Sequence, residues 1–419
     1  MEKLVESVEA LALYLDEQCV GVLAHYAGSR NILSFAPEYL ELPVSQRPVF
    51  TLTQKVRAEY LNKPLISFHK LPPVLSNLLS EGALREWMAL TLKVHHDDEF
   101  PLLAYAGNNL PGGITAVPLK GGEIPGWALT SRGDKLEAVQ IDVSHSTDKF
   151  SLAGVQMKFS ALRQDGRFNV STDVGGDSWI IKTPSTAHRA VPENEFSAMK
   201  LAQVIGVNIP EIKLVELRNL VNLPDIPLPD EPYAYAIRRF DRTDEGRVHT
   251  EDFAQIFQVY ARNKYKGYSY DDIGRALYRV GAGGIIDIQQ MARRMLANIL
   301  LANGDAHLKN WTVFYPNRVD AVLSPAYDIV STKPYVKNED GVALNMAKEK
   351  RWGVINMQTF ERWAERIGVP WSAVEVHLDE AIEIARERWP DLLTELPMLE
   401  EHKRVLREHW AALSTDFRF

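Results

Sequence analysis

From residue 151 the apolar pattern of this chain runs at period two. Beyond residue 250 it runs at helix period, and that change constrains what the chain can build. "VQMKFSAL" alternates, "RQDGR" carries a turn signal, "FNVST" alternates again, "VGGDS" turns, and "WIIK" ends a short apolar run on Lys182. Short alternating runs separated by turn residues predict a small antiparallel sheet. "VPENEFSAMKLAQVIGV" predicts a helix, with Pro192 in the first turn, Glu193 and Glu195 near the positive end and Gly206 as the stop. Phe196, Met199 and Ala202 would form its buried stripe. "YAYAIRRF" at 233–240 returns to strand, and "EDFAQIFQVYA", "DIQQMARRMLANILLA", "MQTFERWAERIG", "AVEVHLDEAIEIARERW" and "PMLEEHKRVLREHWAAL" follow at helix period. The expected fold class is α+β, a sheet-rich lobe followed by a helical one.

Before these lobes, "CVGVLAHY" reads as a strand, "PPVLSNLLSEGALREWMAL" as a helix and "AGNNLPGGITAVPL" as a turn into another strand. The polar segment 131–150 is the expected junction. The expected units are therefore 1–148, an extra N-terminal subdomain; 149–245, a small lobe; and 246–419, a helical lobe. A chain of 419 residues, 46% hydrophobic and 24% charged, has the material for several packed units and is unlike a disordered chain. Lys and Arg number 47 against 55 Asp and Glu, a balance that argues against unaided binding to a phosphate backbone. Cys19 is the single cysteine, which excludes an internal disulfide and suits a reducing compartment, so a cytoplasmic location is expected. The N-terminal stretch lacks a basic region followed by an apolar one, and no apolar run is long enough to span a bilayer; neither export nor membrane insertion is expected.

The polar stretch "LLANGDAHLKNWTVFY", 300–315, lies between apolar flanks. Met291, Met295 and Ile299 recur every four residues, so the preceding helix can be anchored in a core and deliver this loop. Asp305 and Asn310 stand at the interval of the Asp and Asn in a kinase catalytic loop, where the Asp accepts the hydroxyl proton and the Asn helps hold Mg²⁺. "NGD" alone fits a turn with Asx hydrogen bonds better than a catalytic loop. Asp328 in "LSPAYDIVST" supplies a second oxygen ligand downstream, or caps the next turn. Gly154, beside Ala153, would let backbone N–H groups approach phosphate; Lys182 ends its strand where an ammonium can reach one, and Glu195 could pair with it. The order of these parts, rather than any one of them, is that of a two-lobed phosphotransferase. His307, His249 and His188 fit no compact zinc spacing, and no serine sits in a G-x-S-x-G elbow.

"SLAGVQMKF", "WIIKTPS", "ENEF", "RRFDR", "NGDAHLKN" and "YDIVS", in this order, resemble the HipA toxins, serine/threonine kinases of bacterial toxin–antitoxin pairs. "FAPEYLELP" and "AYAGNNLPGGITAV" extend the resemblance to the domain that precedes the kinase in full-length members. The resemblance implies ATP and Mg²⁺ as cofactors, Asp305 as catalytic base, and Asn310 with Asp328 as Mg²⁺ ligands. It further implies that Ala153, Gly154, Val155, Gln156, Met157 and Lys158 cover the phosphates and that Lys182 contacts them. Arg238, Arg239 and Phe240 would line the adenine hinge, with His307, Lys309 and Tyr327 close to the nucleotide. Ser151 matches the family's autophosphorylated serine; nearly two added negative charges there would oppose nucleotide phosphates. Arg238 departs from the pattern: a family member carries an acidic residue there, and an Arg side chain cannot accept a hydrogen bond. Also implied are an aminoacyl-tRNA synthetase as protein substrate, a small DNA-binding antitoxin of the HipB type as partner, and operator DNA reached mainly through that antitoxin. Two rival readings are a catalytically silent scaffold of an antitoxin–DNA complex and a small-molecule phosphotransferase.

Overall fold

Alternating residues near the N-terminus pair into an antiparallel sheet in the computed structural model, which describes residues 5–57, 59–129, 134–142, 158–164, 167–171, 178–223 and 227–419. The strand order is Leu65–Phe68, Arg30–Phe35, Gln18–Tyr26, Ala10–Leu15, Ile114–Leu119. Period two puts Leu11, Leu13 and Leu15 on one face, packed with Leu23, Leu33, Leu75 and Leu103, while Ala10, Val22, Ala24 and Ile32 form a second core on the other. "PPVLSNLLSEGALREWMAL" divides into two helices, Pro73–Ser76 and Gly82–Leu92. Asn77 ends the first by donating from its side chain to the Pro73 carbonyl at 2.8 Å, and Gly82 starts the second at φ +60°.

The second sheet runs Ile212–Glu216, Tyr233–Arg238, Trp179–Lys182, Lys158–Gln164, Arg167–Ser171, Leu220–Val221, antiparallel except for the last pair. The helix Val191–Val204 packs on it through Ala198, Met199 and Ala202, and Gly206 at φ +83° closes its end. Phe196 is only half-buried, so two of the three expected stripe residues carry the packing. The inner face of the sheet does not close a core of its own. Ile212, Tyr235 and Ile237 belong to the same cluster as Met291, Met295 and Ile299 of the helix Gly284–Leu300, so sheet and helical body share one interior.

"EDFAQIFQVYA" forms a single helical turn, Phe253–Ile256, with Asp252 and Gln255 capping each other; the left-handed backbone of Gln258, φ 58°, prevents its extension. The α-helices that follow it are Tyr270–Val280, Gly284–Leu300, Met357–Ile367, Ser372–Glu395 and Glu400–Ala412. Among the described residues no helix is long and apolar enough to cross a membrane.

The N-terminal portion is bonded directly to the helical body. The Leu52 N–H donates to Glu251 Oε2 at 2.7 Å, the Thr53 hydroxyl to the Ile256 carbonyl at 2.8 Å, and Gln255 Nε2 to the Val74 carbonyl at 2.8 Å. Glu251 is wholly buried, and burial pushes its carboxyl up to about 7, against the hydrogen bonds from Tyr315, Thr51 and Leu52. The folded protein therefore binds a proton that the unfolded chain has already released, and stability from this group falls as pH rises from the ordinary carboxylate range through about 7. Glu251→Gln removes the titration. Urea unfolding at pH 5 and pH 8 should show wild type losing on the order of 2 kcal/mol relative to the variant.

Candidate active site

The Gly284–Leu300 helix is continuously buried from Met291 to Leu300 and ends at the loop 301–310. Ala302 turns the chain at φ 51°, and the Asn303 side chain reaches back to Asn298 Oδ1 at 2.8 Å while its Oδ1 accepts the Asp305 N–H at 3.0 Å. The Asx turn is thus present, and it fixes the position of Asp305. The Gly304 N–H donates to the Thr332 hydroxyl at 2.8 Å, and a Cβ at Gly304 would lie 2.2 Å from the Glu339 carboxylate, so the position excludes other residues unless Glu339 moves. The Ala306 carbonyl accepts from Tyr270 Oη at 2.9 Å and from Trp311 Nε1 at 3.2 Å. The Leu308 N–H donates to the Lys264 carbonyl at 3.2 Å. This loop is held from four elements, as a site that must position atoms requires.

Opposite it, Lys182 and Glu195 are buried, 4% and 3% exposed, and hydrogen-bonded to each other. Lys182 also donates to Asp328 Oδ1. Asp328 Oδ2 accepts from Lys158 at 3.4 Å and from Asn310 Nδ2 at 3.2 Å. The small-lobe sheet, its helix and two loops of the helical lobe therefore converge on one carboxylate. Burial opposes the charge on Lys182, but Asp328 and Glu195 outweigh it and hold the ammonium above its ordinary value. Burial also disfavours ionised Asp328, yet Lys158 and Lys182 hold it far below the usual carboxylate range. Burial raises Glu195, partly offset by Lys182. Asp328 has left-handed backbone, φ 54°, a conformation that Asp tolerates better than most residues.

Asn310 is buried, and with its Nδ2 on Asp328 its Oδ1 has no hydrogen-bond partner among the described residues. A buried amide oxygen beside a carboxylate is the donor set of a hard divalent cation such as Mg²⁺, so these residues fit that ion.

Asp305 reaches solvent, although the protein around it still pushes its carboxyl above the ordinary value; hydrogen bonding from Tyr265 Oη and the charge of Lys264 work the other way. His307 is buried edge-on to Tyr265, ring centroids 5.0 Å apart. Burial and the charge of Lys264 push it down to about 3, which keeps it neutral near pH 7. Phe240 and Tyr327 face each other with centroids 5.9 Å apart. The Arg238 side chain is exposed at the end of its strand. Arg239 is turned to Asp241, which takes its Nε at 2.9 Å and Nη2 at 2.8 Å. Lys309, expected near the nucleotide, has Nζ on the Asn77 carbonyl at 2.8 Å and within 3.3 Å of Glu81 and Asp252. Ser151, Ala153, Gly154, Val155, Gln156 and Met157 lie outside the described residues.

Sequence reasoning missed Tyr235 and Tyr265. Tyr235 pairs with Lys182 across the sheet, its ring 5.4 Å from Nζ, and that depends on register, which no single strand reveals. Tyr265 meets Asp305 from a polar turn that carries no motif.

This is a two-lobed kinase-like α+β fold with an added N-terminal unit. The sequence model "HipA-like C-terminal domain" matches residues 150–389 and "HipA N-terminal domain" matches 11–117. "Putative kinase Y4dM" of Sinorhizobium fredii is 36% identical over 399 residues, spanning 93% of this chain and 94% of that protein. The serine/threonine-protein kinase toxin HipA of Shewanella oneidensis is 25% identical over 366 residues, 80% of each chain. The fold is shared with a solved Shewanella oneidensis HipA, HipB and operator DNA complex, with a TM-score of 0.70, 20% identity, and 95% of this chain and 94% of that chain covered. The chain belongs to the HipA family.

Removing one partner from the buried cluster tests its energetics. Lys182→Met leaves Glu195 unpaired and should cost about 3–5 kcal/mol in urea unfolding, with Lys182→Met/Glu195→Gln recovering part of the loss.

Proposed function

We propose that this chain is an ATP- and Mg²⁺-dependent serine/threonine protein kinase and the toxin of a toxin–antitoxin pair. The observation that carries the reading is the convergence of Lys182, Glu195, Asn310 and Asp328, with Asp305 on the same rigid loop as Asn310. Asp305 takes the proton of the attacking hydroxyl. Lys182, kept charged and oriented by Glu195, moves from Asp328 to the nucleotide phosphates. Asn310 Oδ1 and Asp328 would hold Mg²⁺, which neutralises charge on the bridging phosphates when bound. Phe240 and Tyr327 offer an aromatic wall to adenine, and contacts at Arg238 use its backbone. The nucleotide role first assigned to Lys309 passes to the residues around Asp328.

The family resemblance extends the reading to regulation and partners. Ser151 is the self-phosphorylated residue, an aminoacyl-tRNA synthetase is the protein substrate, and translation arrest with growth inhibition follows. A small HipB-type antitoxin binds the toxin and carries the pair to operator DNA.

Incubation with labelled ATP and Mg²⁺ followed by phosphosite mapping tests this. Wild type should label Ser151 and a protein in cell extract, and Asp305→Ala should lose about 10²–10⁴-fold in rate. No nucleotide binding and no transfer, from unphosphorylated protein, would leave the scaffold reading; label on a small molecule alone would select the small-molecule phosphotransferase.

The rate should also depend on pH through Asp305. Because its folded pKa is raised and the ionised form is the base, turnover climbs with pH along an acid limb lying above the ordinary carboxylate range. His307, neutral down to about 3, adds no limb near neutrality. A pH–kcat profile with a limb at the unshifted carboxylate value would contradict the assignment.

A further inference from the structure

The N-terminal portion reaches the proposed catalytic loop through a carboxylate, Glu81, and through Asn77. Glu81, in the break between the helices Pro73–Ser76 and Gly82–Leu92, holds two lysines of the helical lobe: Lys264 Nζ at 3.0 Å from Oε2 and Lys309 Nζ at 3.3 Å from Oε1. One of these lysines belongs to the loop that carries Asp305, and the other to the segment that carries Tyr265. Lys309 is the immediate neighbour of Asn310 within the loop, and the Lys264 carbonyl takes the Leu308 N–H at 3.2 Å. Lys264 also precedes Tyr265, whose hydroxyl donates to Asp305.

Asn77 completes the arrangement. Its carbonyl accepts from Lys309 at 2.8 Å, and its side-chain Nδ2 donates to the Val259 carbonyl, also at 2.8 Å, just before the segment that carries Lys264. The Lys309 carbonyl in turn accepts from Tyr327 Oη at 2.8 Å, one residue before Asp328. Both lysines are largely buried, 22% and 14% exposed at the side chain, while Glu81 is 37% exposed. The charges of Lys309 and Lys264 outweigh desolvation and lower the Glu81 pKa, so it is ionised at neutral pH.

We infer that Glu81, with Asn77, is a positioning residue of the phosphotransfer site, by which the N-terminal portion sets the placement of Asp305 and Asn310. The inference rests on the kinase reading for its rate consequence, but its structural content stands apart from it. A carboxylate joining Lys309, inside the loop, to Lys264, whose carbonyl holds Leu308 and whose neighbour Tyr265 holds Asp305, restrains the loop through two attachments at once, and small displacements of a base or metal ligand slow transfer steeply. With the Glu81 charge removed Lys309 keeps Asn77 and Asp252, and Lys264 keeps its access to solvent, so no charge is left buried alone and the expected signature is lost rate with little lost folding.

The test uses the full chain with Glu81→Gln, which retains shape and hydrogen-bonding capacity while removing the charge. Glu59→Gln is the control, an ion pair to Lys63 with both side chains 79% exposed in the same N-terminal portion. Glu81→Gln should lower kcat by about tenfold with the ATP KM nearly unchanged, and should leave the thermal midpoint within ~2 °C of wild type. Lys264→Met should lower kcat in the same direction, and the double variant should be no worse than Glu81→Gln alone, since Lys264→Met breaks one of the two pairs that Glu81→Gln breaks. Hydrogen exchange over 303–310 should quicken in Glu81→Gln and not in Glu59→Gln.

Unaltered exchange over 303–310 overturns the inference whether or not the protein phosphorylates anything. A kcat within about twofold of wild type, in a preparation that transfers phosphate, overturns it as well. Absence of transfer by wild type would instead sink the kinase reading, and the exchange measurement would still decide this one.

Discussion

A single ammonium ties this molecule together. Lys182 ends a strand of the small-lobe sheet, Glu195 stands on the helix packed against that sheet, and Asp328 belongs to the helical lobe; the lysine bonds to both acids in a buried setting. A buried charge left alone would be expensive, so each of the three elements is constrained to bring its member to the same place. Strand register, helix phase and the left-handed turn at Asp328 are thereby coupled. The shared core beneath Ile237 and Met295 supplies the apolar energy, and the ion cluster specifies how the lobes meet.

The loop 301–310 shows how a weak local signal and a tightly specified geometry coexist. "NGD" reads as an Asx turn, and an Asx turn is what forms, with Asn303 accepting the Asp305 N–H. The turn is the means by which the acid is aimed. What distinguishes this loop from an ordinary one is the number of unrelated elements that satisfy its backbone, including Tyr270, Trp311, Thr332 and Lys264. The N-terminal portion belongs in the same description, since Asn77 and Glu81 hold the lysine next to Asn310.

Much of the fold was legible in the chain because its periods are local properties. Alternation located the strand Gln18–Tyr26, a short apolar run located Trp179–Lys182, "YAYAIRRF" was read as the strand Tyr233–Arg238, and four-residue recurrence located Gly284–Leu300. The failures also have physical causes. "EDFAQIFQVYA" stops after one turn because Gln258 takes a left-handed backbone, and the capped helix Tyr270–Val280 went unread although Ser269 and Asp272 form its capping box. Within the site, Asp305, Asn310, Asp328, Lys182 and Glu195 could be named from order. Lys309 and Arg239 were named too, but the Lys309 side chain answers to the distant Glu81 and Asp252, and Arg239 turns to Asp241 two residues on. Adjacency in sequence gave no hint of the partners of Lys309.

The amide at position 310 has a consequence for the order in which ligands arrive. With Asn rather than a second acid beside Asp328, the pair carries one negative charge, and Lys158 and Lys182 already counter it. A free divalent ion approaching this cluster meets two ammonium groups and little uncompensated charge. On the proposed kinase reading, a cation escorted by polyphosphate would bring its own anions, to which Lys158 and Lys182 could turn from Asp328. Metal and nucleotide would then be received together rather than one after the other.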